Sequence, residues 1–315
     1  MFSFARKRLL PGWLAVCKRG ESLELAHVER SDAGGVVLKS LQQLTPETKD
    51  KTLAGLLSPF TENKTYRNFR CTTLLAQQDY QLLQVDAPDV PEAEQKEALR
   101  WRLKDLIEQP VDSVGLDVIP LPEAVLGGRA RQLFAAVAKN DALSSVVTAF
   151  HAARMSLEVI DLPEMAQRNV AALFEDENRG LAFLVFDEQS ALLTFTYQGE
   201  LFGLRRIEVG VQQLQQASDE RRDQLSDRIV LELQRSIDGV DRQFSSITLS
   251  RMVVALPPGC GLEEKMRDGL YIPFEAMDLA KVMDISAVPE LLDPEMQRKF
   301  LRSIGAALRF EDAPA

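Results

Sequence analysis

Two turns in this 315-residue chain hold residue types that could meet a phosphate, and a third, glycine-rich one could meet the adenosine of a nucleotide. The first is Cys17-Lys18-Arg19-Gly20, the second Asp187-Glu188-Gln189, and the third Pro257-Pro258-Gly259-Cys260-Gly261. A turn that binds phosphate needs backbone N–H groups close to the ligand, which favours glycine, and a carboxylate to position magnesium and its waters. Each turn meets part of that demand. Lys18 and Arg19 could attract an anion, although two basic residues at a hairpin are more often a solvated tip. Ala15, Val16 and Cys17 before them supply no carboxylate. Asp187 does supply one, but Glu188 beside it repels an anionic ligand. In the third turn two prolines remove two N–H donors and add ring bulk. Gly259 and Gly261 read more simply as turn residues.

No other chemistry has a stronger claim on the sequence. His27 and His151 are the only histidines, too few for a histidine-rich metal site, and neither lies in a nucleophile motif. Cys17, Cys71 and Cys260 show neither paired nor ligand spacing and read as reduced core thiols of a cytoplasmic chain. There is no Walker lysine loop, dinucleotide fingerprint or zinc spacing. The composition, 45% hydrophobic and 27% charged, fits a globular chain of two domains or one bilobed one. A net charge of −10 argues against a general nucleic-acid surface. The acidic clusters at 175–177 and 219–223 read as solvated faces. No apolar run approaches the ~20 residues of a membrane span. At the N-terminus Arg6, Lys7 and Arg8 precede an apolar run that Pro11-Gly12 breaks and Lys18-Arg19 stops, with no small-residue cleavage site after it, a pattern that argues against a signal peptide. It reads either as a frayed end or as a membrane-touching segment anchored by Phe2, Phe4, Leu9 and Leu10.

The turns sit in a repeated layout. Residues 13–44 and 181–210 each read as strand, turn, strand, glycine-marked turn, strand, with Gly20, Gly34-Gly35 and Gly199 as turn signals. Each leads into a polar segment and then a helical pattern. Two such halves resemble the duplicated actin-like, ribonuclease-H-like α/β fold, whose working members grip nucleotide phosphates with an acidic residue and glycine at the first turn of each half. The resemblance therefore puts Cys17, Lys18, Asp187, Gly259 and Gly261 at degenerate positions of a nucleotide cleft. The expectation is a lost phosphate grip, no ATP hydrolysis, no cofactor and no metal, with weak ATP binding left open.

Between and after the meanders the spacing predicts further elements. A helix over 46–57 follows Thr45 as N-cap and Pro46. Strands over 69–76 and 80–85 precede a helix over 92–107 with the apolar stripe Leu99, Leu103, Leu106 and Ile107. Strands follow over 114–121 and 132–138, the second entered through Gly127-Gly128. Asp141 caps a helix to about 153, a strand runs over 157–162, and a helix over 163–174. Ser218 opens a long helix whose Leu225, Ile229, Leu233 and Ile237 share a face and which Gly239 ends. A strand over 247–256, short elements and a helix over 294–308 complete the chain, with a disordered tail over 311–315. The polar segment 175–180 divides a first lobe, 1–178, from a second, 179–315. Residues 77–138 form a small subdomain inserted in the first lobe.

Three segments are similar to the PilM-like family of pilus and secretion assembly proteins, and within it to the MshI proteins of mannose-sensitive haemagglutinin (MSHA) pilus biogenesis. They are residues 97–107 with Pro110-Val111-Asp112 and Asp117, residues 233–238 (LQRSID), and residues 300–309 (FLRSIGAALR). The spacing of Arg205, Ile207 and Gly210 also fits. Their order along nearly the whole chain carries the resemblance. It implies a PilM/FtsA-like bilobed body at the cytoplasmic face of the inner membrane, scaffolding a type IV pilus assembly platform. The partner implied is the cytoplasmic N-terminus of a PilN-like single-span membrane protein, with coupling to a motor ATPase and no nucleic acid. Two alternatives stand beside it: an active ATPase or sugar kinase of the same fold, and the cytoplasmic domain of a GspL-type secretion protein. Trp101, off the main helical stripe, is the expected aromatic anchor for a partner peptide. Leu82 and Leu83 join it on a groove between the subdomain and the first sheet.

Overall fold

The computed structural model describes residues 9–31, 34–62 and 64–309. The N-terminal anchors Phe2 and Phe4 and the expected tail over 311–315 lie outside the described residues.

The chain opens with an antiparallel meander, β1 (Trp13–Arg19), β2 (Ser22–Arg30) and β3 (Val36–Leu44). The short helix α1 (Leu53–Leu57) and β4 (Arg70–Leu74) follow, with β4 parallel to β1. Alternation along β1 sends Leu14 and Val16 to one face and Ala15 and Cys17 to the other, the period of a strand buried on both sides. The helix expected over 46–57 forms only from Leu53, with Thr52 as its cap. Residues 46–52 contain no large apolar group to bury. Instead, the side chains of Thr48 and Asp50 accept from the backbone N–H groups of Asp50 and Thr52, an arrangement that competes with a helix.

The inserted segment contains β5 (Tyr80–Asp86), α2 (Glu92–Leu103), β6 (Val114–Pro120), α3 (Glu123–Leu126) and β7 (Gln132–Lys139). Its antiparallel sheet has the order β5-β7-β6. On one face Leu83, Val85, Leu116, Val118, Leu133, Ala135 and Val137 meet Leu99, Leu103 and Ile107. On the other, Leu82, Ile119, Phe134 and Ala136 join the core of the following lobe. Helix α2 stops at Leu103 rather than 107, so Leu106 swings out to 58% exposure while Ile107 stays buried.

The chain returns through α4 (Asn140–Ala152), β8 (Ser156–Asp161), which is parallel to β4, and α5 (Pro163–Ala171). Lys139, not Asp141, occupies the N-cap of α4; Asp141 sits in the first turn, where its charge suits the helix dipole. A second meander follows, β9 (Gly180–Phe186), β10 (Ala191–Tyr197) and β11 (Glu200–Ile207), then α6 (Val211–Gln216) and α7 (Asp219–Gln243). Ser218 caps α7 by accepting from Arg221 N, and Leu225, Ile229, Leu233 and Ile237 are buried in the core under the second sheet. Gly239 does not end α7. Val240 and Phe244 continue its buried face, and that burial outweighs the ~1 kcal/mol cost of a helical glycine. Last come β12 (Leu249–Ala255), α8 (Leu262–Gly269), β13 (Phe274–Ala276) and α9 (Pro294–Ala307).

The two large sheets have one topology. Their orders are β3-β2-β1-β4-β8 and β11-β10-β9-β12-β13, each an antiparallel meander extended by two parallel strands. Helices α1 and α4 cover the outer face of the first sheet, and α6, α7 and α8 the outer face of the second. Between the sheets run α5 and α9, burying Ala166, Val170, Phe300, Leu301 and Ile304 against Ala15, Val28, Phe183 and Val253. A Cβ at Gly305 would fall inside contact distance of the Ala166 carbonyl, so glycine is what lets these two helices touch backbone to backbone.

Candidate functional site

The first turns of both meanders meet at one cleft of about 440 Å³. Its walls are the β1–β2 turn, the end of β4 with Gln77 and Gln78, the β9–β10 turn, and α9. Of the residues expected at a nucleotide cleft, Cys17, Lys18 and Asp187 line it. Gly259 and Gly261 do not; they lie in the β12–α8 loop with φ of 66° and 70° and open space around them, as turn glycines do. The adjoining groove is a separate one, lined by Pro257, Pro258, Met277 and Asp293.

Arg19 is not a solvated tip. Its guanidinium reaches across the cleft to Asp187 at 3.3 Å and Glu188 at 3.6 Å, and donates to the Lys299 carbonyl at 2.6 Å. From α9, Arg302 donates to the second Asp187 oxygen at 2.5 Å, and buried Arg298 donates to the Phe186 carbonyl at 2.9 Å. Burial alone would raise the Asp187 pKa, but Arg302 and Arg19 beside it outweigh burial and hold it below the usual carboxylate range. The second turn is also pinned from behind. Val211 N donates to the Asp187 carbonyl at 2.9 Å, and any side chain at Gly210 would strike the Glu188 and Gln189 backbone.

A carboxylate that the turn sequences do not announce enters from β2. Glu24 pairs in register with Cys17, is 2% exposed, accepts from the Ser303 hydroxyl and lies 3.5 Å from Arg19. Burial raises its pKa, and Ser303 and Arg19 only partly offset that. The same burial, with the Glu24 charge, pushes the Cys17 thiol up, which leaves it a poor nucleophile. Glu24 was legible as an acid set between Leu23 and Leu25 in a largely apolar strand. On the far side, Glu164 accepts from Tyr80 at 2.5 Å and from Arg206 at 2.6 Å, tying the inserted sheet to the second lobe. Among the described residues no group of three or more His, Cys, Asp or Glu side chains could hold a metal ion.

The three residues expected on a partner groove are not brought together. Trp101 is 73% exposed on the outer face of α2, Leu83 lies under α2, and Leu82 packs on the opposite face of the small sheet against the second lobe. Adjacent positions in a strand point to opposite faces, so Leu82 and Leu83 could not share one surface.

No family model matches the chain, and no curated protein matches its sequence. Among solved structures, the PilM–PilN type IV pilus biogenesis complex is similar with a TM-score of 0.71 at 18% identity, covering 94% of this chain and 98% of that one. A Bacteroides thetaiotaomicron protein of actin-like ATPase fold and unknown function gives a TM-score of 0.49 at 8% identity, over 93% and 99% of the two chains. The cytoplasmic domain of EpsL, an inner membrane component of the type II secretion system of Vibrio cholerae, gives 0.46 at 16% identity, over 91% and 94%. The fold is actin-like, and within that class it matches the PilM fold along nearly its whole length.

Proposed function

We propose that this chain is a non-catalytic cytoplasmic scaffold of a type IV pilus assembly platform of the MSHA type, as the MshI-like segments suggest. It holds the cytoplasmic N-terminus of a PilN-like single-span inner-membrane protein and couples it to a motor ATPase. The observation that carries the first half is the Arg19–Asp187–Arg302 bridge. Where an ATPase of this fold would place phosphates between the two turns, this chain places the Arg19 guanidinium, which pairs with the Asp187 carboxylate of the second turn, itself also held by Arg302. The likeness to the PilM–PilN complex supports the second half. Among the described residues no helix is long and apolar enough to cross a membrane.

The test is a titration of the purified chain with ATP and GTP, with and without magnesium, alongside a phosphate-release assay and a titration with the synthetic PilN-like N-terminal peptide. Peptide binding with no turnover above background is the expected result. Magnesium-dependent hydrolysis that disappears on Asp187→Ala would overturn the scaffold reading.

A further inference from the structure

Helix α2 gives one face to the small sheet and the opposite face to solvent. Leu99 and Leu103 are buried, while Trp101, about half a turn round, is the most exposed large apolar side chain among the described residues. A lone exposed leucine needs no explanation, but an outward tryptophan at the apex of a helix marks a contact surface. Glu97, Arg100, Trp101 and Lys104 follow the i, i+3, i+4, i+7 spacing, so they share one helical face.

That face is complementary to itself. Set antiparallel to its own copy about the midpoint between Arg100 and Trp101, the helix brings Glu97 opposite Lys104, the C-cap residue just past Leu103 that keeps helical backbone angles. It also brings Arg100 opposite Trp101. Each pair occurs twice by symmetry: opposite charges at the flanks, and a guanidinium over an indole at the centre. We propose that the α2 face binds a second copy of this chain, with the two helices antiparallel across a two-fold axis between Arg100 and Trp101. Such an isologous contact needs a self-complementary patch, which this sequence provides.

A groove of about 540 Å³ beside the C-terminal half of α2 adds an apolar floor of Ile107, Pro110 and Val111 next to Arg100 and Lys104. The contacts these side chains make within one chain are exchangeable surface ones: Arg100 to Glu97 at 4.0 Å, and Arg100 to the Val111 carbonyl at 3.4 Å. Mixed charge around Trp101 disfavours an anionic bilayer as the occupant, because Glu97 would face it. One helix pair buries less than the ~1,000 Å² of a stable interface, so the dimer is weak and forms when copies are concentrated.

The experiment is sedimentation equilibrium of the full chain over a wide concentration range, with tryptophan emission recorded in parallel. Trp13 is buried at 2% exposure, so a blue shift with concentration reports Trp101. Trp101→Ala should keep the native melting temperature and lower the association constant at least about 30-fold, the factor equivalent to ~2 kcal/mol at an aromatic anchor. Lys104→Glu should weaken association by setting Glu97 against a like charge in both symmetric pairs. The double variant Glu97→Lys with Lys104→Glu should recover the native constant to within about threefold. Glu97 and the C-cap residue Lys104 lie two turns apart along α2, so only a second copy can produce that recovery. A monomer at every concentration, a double variant no better than the single, or unfolding of Trp101→Ala would each overturn the proposal. So would an emission shift that follows phosphatidylserine vesicles instead of protein concentration.

Discussion

Removing the Asp187 carboxylate tests whether charge holds the two turns together. Its side chain and those of Arg19 and Arg302 are between 25% and 29% exposed, which sets the pairs between two familiar limits. Exposed pairs contribute about 0–1 kcal/mol, whereas breaking a fully buried one costs about 3–5 kcal/mol. The Arg302 contact at 2.5 Å is a charge-assisted hydrogen bond, worth about 1.5–3 kcal/mol. Arg19 loses less, since it keeps the Lys299 carbonyl, Glu24 and Glu188. Asp187→Ala should therefore cost about 2–3 kcal/mol in urea unfolding at pH 7. A double-mutant cycle with Arg302→Ala should return a coupling of about 1–2 kcal/mol, and one with Arg19→Ala a smaller value. The pH sign follows from a folded-state pKa below the unfolded one. The contribution is present above the unfolded value of about 3.9 and is lost as pH falls through the folded value. Native and variant chains should then converge in acid. A loss under about 0.5 kcal/mol, or no coupling to Arg302, would show that the lobes are held by packing alone.

Two further outcomes follow from buried contacts. Gly305→Ala drives a methyl group into the Ala166 carbonyl at the α5–α9 crossing, and chemical denaturation should show a loss of about 2 kcal/mol or more. Glu24 has a raised folded pKa, so its contribution is complete below the unfolded value of about 4.3 and declines as pH rises through the folded value. Glu24→Gln should flatten the pH dependence of stability between the unfolded and the folded value, and an unchanged slope there would exclude Glu24 as its source.

Local periodicity carried most of the fold. The alternation of Leu14 and Val16 with Ala15 and Cys17, and the four-residue spacing from Leu225 to Ile237, are written into adjacent positions and survive in the structure. Where propensity stood without an apolar partner, as over 46–52, the helix did not form. Where burial extended past a stop signal, as at Gly239, the helix ran on. The cleft was half legible. Cys17, Lys18 and Asp187 meet there because the meander repeat places the two turns in equivalent positions. The bridge that fills it joins residues 168 positions apart, and no local pattern encodes that. Leu82 and Leu83 cannot share the expected groove, because adjacent strand positions face opposite ways.

The position of α9 bears on how the chain is made. Its Phe300, Leu301 and Ile304 complete the inner face of a sheet whose first strand begins at Trp13. A ribosome adding roughly 5–20 residues per second needs about 15–60 s to travel from β1 to α9. Throughout that interval Ala15, Ala26, Val28 and Leu38 belong to a strand set lacking one of its two covering helices. The N-terminal half is thus translated first but finished last, and a nascent chain halted before Pro294 presents an apolar sheet face to chaperones and proteases.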